Sequence, residues 1–193
     1  RPVDYATDLG ALPRSSRFAG RERELLRLDL LFGASKETQA VVGIVGPPGT
    51  GKTALATEFA ARSRDRYAQV LFFQASDAQA QLTRALDGAR PGKTLVILDA
   101  AYTVDDIYPT LKRLLRRPDT HVIVTSQFEM DERLVPTQLV LGSLTRKDAI
   151  AFLQDQLPDV PHETLDRLAD IAGGFPLALR MVAGLHKRGD LDS

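Results

Sequence analysis

Eight residues restrict what this chain can become more than any others: Gly46-Pro47-Pro48-Gly49-Thr50-Gly51-Lys52-Thr53, a run of the form G-x-x-x-x-G-K-[ST]. The run follows the short apolar, β-branched stretch 40–45. It precedes residues 53–66, where Leu55, Phe59 and Ala60 recur at helical spacing. Strand, glycine loop and helix in that order make a phosphate site, because the loop turns successive N–H groups inward and the helix presents its positive end. Pro48, Gly49, Thr50, Gly51, Lys52, Thr53 and Ala54 are therefore the expected nucleotide-binding set. Lys52 is placed to reach the β- and γ-phosphates, and the Thr53 hydroxyl to meet Mg²⁺. The plainer alternative is a glycine-rich turn that binds nothing, and agreement of pattern with context weighs against it.

Further strands are expected at 69–73, 94–99, 120–125 and 138–141, with helices at 21–32, around 78–86 and at 108–117. Strands alternating with helices imply an α/β fold. The expected architecture is a three-layer α/β/α sandwich with a mostly parallel five-stranded sheet. Residues 1–17 read as an extended lead-in. After Leu141 the strand signal stops: Thr145 and Asp148 have the form of a capping box before an apolar set, and helices at 161–172 and 176–187 follow. The expected division is 1–39 (lead-in and first helix), 40–142 (P-loop nucleotide-binding domain) and 143–193 (small helical domain).

A metal bound at Thr53 needs a carboxylate, and Leu95-Val96-Ile97-Leu98-Asp99 is an apolar strand ending in one. Asp99 is the expected metal-side acid; the bland alternative is an Asp that caps the next turn. Ala100 and Ala101 follow where many nucleotide hydrolases place a second acid to activate water. Slow hydrolysis is therefore expected. Asp105 and Asp106 lie further on and read as helix capping or solvated residues.

Composition excludes several other chemistries. Lys plus Arg and Asp plus Glu number 25 each, so nothing suggests broad binding to nucleic acid or an anionic membrane. With no cysteine there are no disulfides, thiolate metal sites or cysteine nucleophiles. No apolar run spans a membrane and no signal peptide is evident, which suits a cytoplasmic location; the opening Arg1 suggests an excised fragment. His121, His162 and His186 share no metal-ligand spacing and read as structural. Lys112, Arg113, Arg116 and Arg117 read as a solvated face, and Arg180 reads either as a phosphate-approaching group or as an outward-facing one.

Two further segments carry a resemblance. Phe18-Ala19-Gly20-Arg21-Glu22-Arg23-Glu24 looks like the opening hydrophobic-Gly-Arg-Glu element of the NB-ARC branch of the STAND ATPases, and Gly173-Gly174-Phe175-Pro176-Leu177-Ala178-Leu179 looks like its Gly-Leu-Pro-Leu element. Both flank the loop and the Asp99 strand in the family's order. The resemblance implies that Phe18, Gly20 and Arg21 lie against the adenine and that Pro176 closes over base and ribose. It also implies that the 120–125 strand lies between the loop strand and the Asp99 strand, making Thr125 and Ser126 candidate sensors; relatives often carry Arg next, where this chain has Gln127. Lys52, Asp99 and Thr125 then form the expected catalytic set, with ADP or ATP and Mg²⁺ as cofactors.

The function implied is a nucleotide-dependent signalling switch, linked to protein partners or to self-assembly through domains outside these residues. Neither membrane nor nucleic acid is expected as a partner of this domain. An active ATPase of AAA+ or origin-recognition type is the main rival, and a scaffold with structural ADP is another.

Overall fold

The computed structural model describes residues 18–34, 39–87 and 91–191; the lead-in read at 1–17 lies outside them. The helix α1 (Glu22–Ala34) leads into β1 (Gln39–Val45), α2 (Lys52–Arg62), β2 (Gln69–Gln74), α3 (Ala75–Asp87), β3 (Thr94–Ala101), α4 (Val104–Leu114), β4 (Thr120–Ser126) and β5 (Thr137–Val140). Three helices close the chain: α5 (Arg146–Gln156), α6 (His162–Ile171) and α7 (Pro176–Arg188).

The five strands form one sheet in the order β2-β3-β4-β1-β5, and every neighbouring pair is parallel. Period-two alternation explains why helices must cover both faces. Val42, Ile44, Leu95, Ile97 and Ile123 join a core with Leu28 and Phe32 of α1 and Leu55 and Phe59 of α2. The intervening Val41, Val45, Val96, Leu98, Val122 and Val124 join a second core with Leu82 of α3 and Leu111 of α4. The result is the expected three-layer α/β/α fold. A third core, from Leu144 to Ala183, belongs to α5, α6 and α7.

Several boundaries differ from the sequence expectation. α2 ends at Arg62, and a 3-10 turn over Arg64–Arg66 completes the segment. α4 begins at Val104 rather than at 108 and contains Pro109. Pro109 lies inside the helix, where it forgoes the backbone bond to residue 105. β3 runs on to Ala101 through a register shift between Leu98 and Ala101. Half of the box read at Thr145 forms: its hydroxyl accepts from the Asp148 N–H and starts α5, while the Asp148 carboxylate accepts from that hydroxyl at 2.7 Å rather than from the Thr145 N–H.

Because all strands run the same way, their C-terminal ends share one edge, which is where open parallel sheets place ligands. Val45, immediately before the glycine loop, is in register with Ser126, and Gln74 is in register with Asp99. No described helix is long and apolar enough to cross a membrane.

Candidate functional site: a phosphate loop, an acid and a cleft

The glycine loop owes its path to close backbone approach. Gly46 has φ 149°, and a Cβ there would lie 2.2 Å from the Leu141 carbonyl oxygen, so any larger residue would push the loop off β5. At its other end Gly51, with φ 91°, is the N-cap of α2 and offers no side-chain acceptor to the first turn. The leading N–H groups of α2 are thereby left for another partner, and an anion supplies acceptors to donors of this kind. The Thr50 hydroxyl donates to the Pro47 carbonyl at 2.9 Å and braces the loop from within.

Lys52 starts α2 and curls back over the loop, its Nζ donating to the Gly46 carbonyl at 2.8 Å and the Pro47 carbonyl at 2.9 Å. Partial burial lowers its pKa from the ordinary lysine value, while the charge of Asp99 pulls the other way. The ammonium is thus held at the mouth of the loop by weak neutral acceptors, which a polyphosphate can replace with charge-assisted bonds.

Asp99 is buried beneath the loop, and three side chains converge on it. Its Oδ1 accepts from the Thr53 hydroxyl at 2.7 Å and from the Thr125 hydroxyl at 2.7 Å; its Oδ2 accepts from Gln74 Nε2 at 3.4 Å. The Ala100 N–H donates back to Thr125 Oγ1 at 2.9 Å, with Ala100 held at φ 57°, in the left-handed region. Adjacent oxygens around an octahedral Mg²⁺ at 2.0–2.1 Å stand about 2.9 Å apart, so the Thr53 and Asp99 oxygens have the separation of two neighbouring ligands. Among the described residues no group of three or more His, Cys, Asp or Glu forms a metal cage. An ion at Asp99 would draw its remaining ligands from phosphate and water, as Mg²⁺ commonly does.

Beside the loop lies a shallow cleft, open to solvent, lined by Phe18, Ala19, Arg21, Thr50, Gly51, Ala54, Leu144, Phe152, Pro176 and Arg180. Aromatic and aliphatic walls with a few polar groups suit a flat heteroaromatic base. Arg21 is buried; its guanidinium donates to the Thr50 carbonyl at 3.3 Å and to the Gly142 carbonyl, and pairs with Glu24 at 2.9 Å. Its Nε has no partner among the described residues. The start of α7 rests on the loop, with the Leu177 N–H donating to the Gly49 carbonyl at 3.2 Å.

The expected residues divide accordingly. Lys52, Thr53, Asp99 and Thr125 come together at the strand ends. Phe18, Arg21, Thr50, Gly51, Ala54 and Pro176 line the cleft, while Gly20 adjoins it without being part of its wall and Pro48 is exposed at the loop. Gly49 meets α7. Ser126 accepts the Phe128 N–H at 3.1 Å, and Gln127 is half-buried beyond it. Sequence reasoning missed Gln74, Leu144 and Phe152. Strand pairing and the packing of α5 bring them in, and neither leaves a local motif.

His121 lies far from this edge. It is buried, stacked on Phe32 at 4.9 Å, and shares a 2.9 Å hydrogen bond between Nδ1 and the Tyr67 hydroxyl. Burial depresses its pKa to about 4, with Lys93 and Arg66 adding to the effect.

A family model described as "AAA ATPase domain" matches residues 17–183. No curated protein matches. The Thermotoga maritima RuvB Holliday junction branch migration motor superposes with a TM-score of 0.60 at 20% identity, over 88% of this chain and 63% of that one. A STAND protein with a tetratricopeptide repeat sensor from Pyrococcus horikoshii superposes with a TM-score of 0.62 at 19% identity, over 100% of this chain and 35% of that one. At such identities the likeness establishes the fold alone. The chain thus spans under two thirds of the first structure and about a third of the second.

Proposed function

This chain belongs to the AAA ATPase domain family, and we propose that it is the adenine-nucleotide switch of a STAND protein of NB-ARC kind, binding ADP or ATP with Mg²⁺ and hydrolysing ATP slowly. The observation that carries the reading is the cleft. Its walls come from the segment before α1, from the glycine loop and from α5 and α7, so a nucleotide bound there would touch all three. Affinity for nucleotide would then be linked to the arrangement of the helical part. A ligand shifts such an equilibrium only by its difference in affinity for the two arrangements.

Thr53 and Asp99 would hold the magnesium ion, which neutralises charge on the phosphates. Lys52 would bind the β- and γ-phosphates, Phe18 and Pro176 would enclose the base, and Arg21 would fix the loop against the start of the helical part. Ala100 and Ala101 leave β3 without a second acid, which supports slow turnover. The signal and the response would come from partners or further domains.

The test is calorimetry of the purified chain with ADP and ATP, with and without magnesium, using Lys52→Ala as the blank, followed by turnover. Magnesium-dependent binding with slow hydrolysis supports the switch. Absence of binding sinks the reading altogether. The family assignment itself favours a second reading, an active ATPase; turnover at the roughly 1–100 s⁻¹ of efficient phosphoryl-transfer enzymes would establish that reading and refute slow hydrolysis.

A further inference from the structure

β2 ends at Gln74, and the register of the sheet sets that residue directly beside Asp99 on β3. The Gln74 side chain is exposed, whereas Asp99 is buried. At 3.4 Å its bond to Asp99 Oδ2 is long compared with the two 2.7 Å hydroxyl bonds on Oδ1. A primary amide carries donors on nitrogen and an acceptor on oxygen. Tethered through Nε2, Gln74 keeps Oε1 for another partner, at the edge where Lys52, Thr53 and Asp99 meet. Gln127 has the same chemistry, but it is half-buried and makes no hydrogen bond to Asp99.

We propose that Gln74 is the water-positioning residue of this site: with Nε2 on Asp99, its Oε1 accepts a hydrogen bond from the water that attacks the γ-phosphate of ATP. The proposal rests on the ATP-site reading above. In the step, the water oxygen bonds to the γ-phosphorus as the bond from that phosphorus to the β,γ-bridging oxygen breaks. The electron pair leaves with ADP. The water's proton passes to a γ-phosphoryl oxygen, giving inorganic phosphate. A neutral amide orients water without deprotonating it, and glutamine serves that purpose in other phosphoryl-transfer sites. From the end of β2, Gln74 thus provides for hydrolysis beside a β3 that ends in Asp99-Ala100-Ala101 without a second acid, and an amide in place of a carboxylate keeps the reaction slow.

The test compares ATP hydrolysis by the parent chain, Gln74→Ala and Gln74→Glu, with melting temperature and Mg·ADP affinity as checks on fold and site. The Ala variant is expected to lose about tenfold or more in kcat, with KM and ADP affinity within about threefold of the parent. The Glu variant keeps a side-chain oxygen as acceptor at the same place, so its kcat is expected to stand about tenfold or more above that of the Ala variant. An Ala variant at the parental rate overturns the proposal, as does a Glu variant no faster than the Ala variant, or a parent that binds ATP and never hydrolyses it. Those failures leave nucleotide binding intact. Loss of binding in the parent itself refutes the site, and this proposal with it.

Discussion

Replacing Thr125 by Val removes one hydroxyl and keeps the shape, so it isolates the two bonds that this hydroxyl makes. Thr125 is buried; its Oγ1 accepts the Ala100 N–H at 2.9 Å and donates to Asp99 Oδ1 at 2.7 Å. Losing the bond to a carboxylate costs ~1.5–3 kcal/mol, and leaving the Ala100 amide unpaired costs ~1–3 kcal/mol. Two effects work against that sum. Ala100 sits at φ 57°, and release from the left-handed region returns about 1–2 kcal/mol. The methyl that replaces the hydroxyl returns up to about 1 kcal/mol of apolar burial. The net loss expected is about 2–3 kcal/mol, which in a domain of this size lowers Tm by about 4–12 °C. Thr125→Ser keeps both bonds and loses one buried methyl, about 1 kcal/mol, so it should stay close to the parent. Thermal melts of the three proteins, followed by Mg·ADP calorimetry, check the expectation. A Val variant melting within about 2 °C of the parent would refute the account of Asp99 given above. So would a Ser variant that falls as far as the Val variant.

Three other outcomes follow from the same geometry. Lys52→Ala should weaken ADP and ATP binding by about 100-fold or more while the fold persists, because it removes a charge-assisted donor whose present partners are only loop carbonyls; calorimetry beside circular dichroism reads both. Gly46→Ala should cost well over 3 kcal/mol or leave the protein unfolded, since its Cβ would lie 2.2 Å from a backbone oxygen. Gly51→Ala, with its nearest contact 3.7 Å away at Pro176, should cost only the ~1–2 kcal/mol of its backbone conformation, and equal losses in denaturant melts would contradict the packing described. His121 should make the fold sensitive to acid. With a folded pKa of about 4 against 6.5 unfolded, the unfolded chain binds the proton first, so stability is complete above pH 6.5 and falls as pH drops toward 4. A gap of about 2.5 pH units is worth at most ~3–4 kcal/mol, and His121→Phe should flatten the slope in denaturant titrations between pH 7 and 4.5; an unchanged slope would assign it to other groups.

Much of this molecule could be read from local pattern. β1, β3 and β4 are buried runs of Val, Ile and Leu, and the glycines that follow β1 need backbone angles that few other residues adopt. Lys52, Thr53 and Asp99 could be picked out because a site for phosphate and magnesium asks for those residue types in that order, and the fold brings Thr53 and Asp99 within 2.7 Å. What escaped depends on contacts distant in the chain. The left-handed turn at Ala100 is held by a hydroxyl 25 residues away, and nothing around Ala100 announces it. Gln74 reads as an ordinary strand end until pairing sets it beside Asp99. Sequence alone places the start of α4 four residues late, since what brings 104–107 into the helix is the packing of Ile107 with Leu111 into the core, a contact that the local pattern does not show.

Arg21 bears most directly on how nucleotide binding and the helical part can be linked. Its guanidinium donates both to the carbonyl of Thr50, inside the glycine loop, and to that of Gly142, where the sheet gives way to α5, 121 residues further along the chain. Both carbonyls accept from Nη2, while Nη1 is held by Glu24, so the planar guanidinium is fixed with one nitrogen between loop and joint. Its Nε lacks a partner among the described residues, and the side chain forms part of the cleft wall. On the switch reading proposed above, a nucleotide in the cleft would lie against the same side chain that ties loop to joint, so Arg21 would let binding favour one placement of α5, α6 and α7 over another.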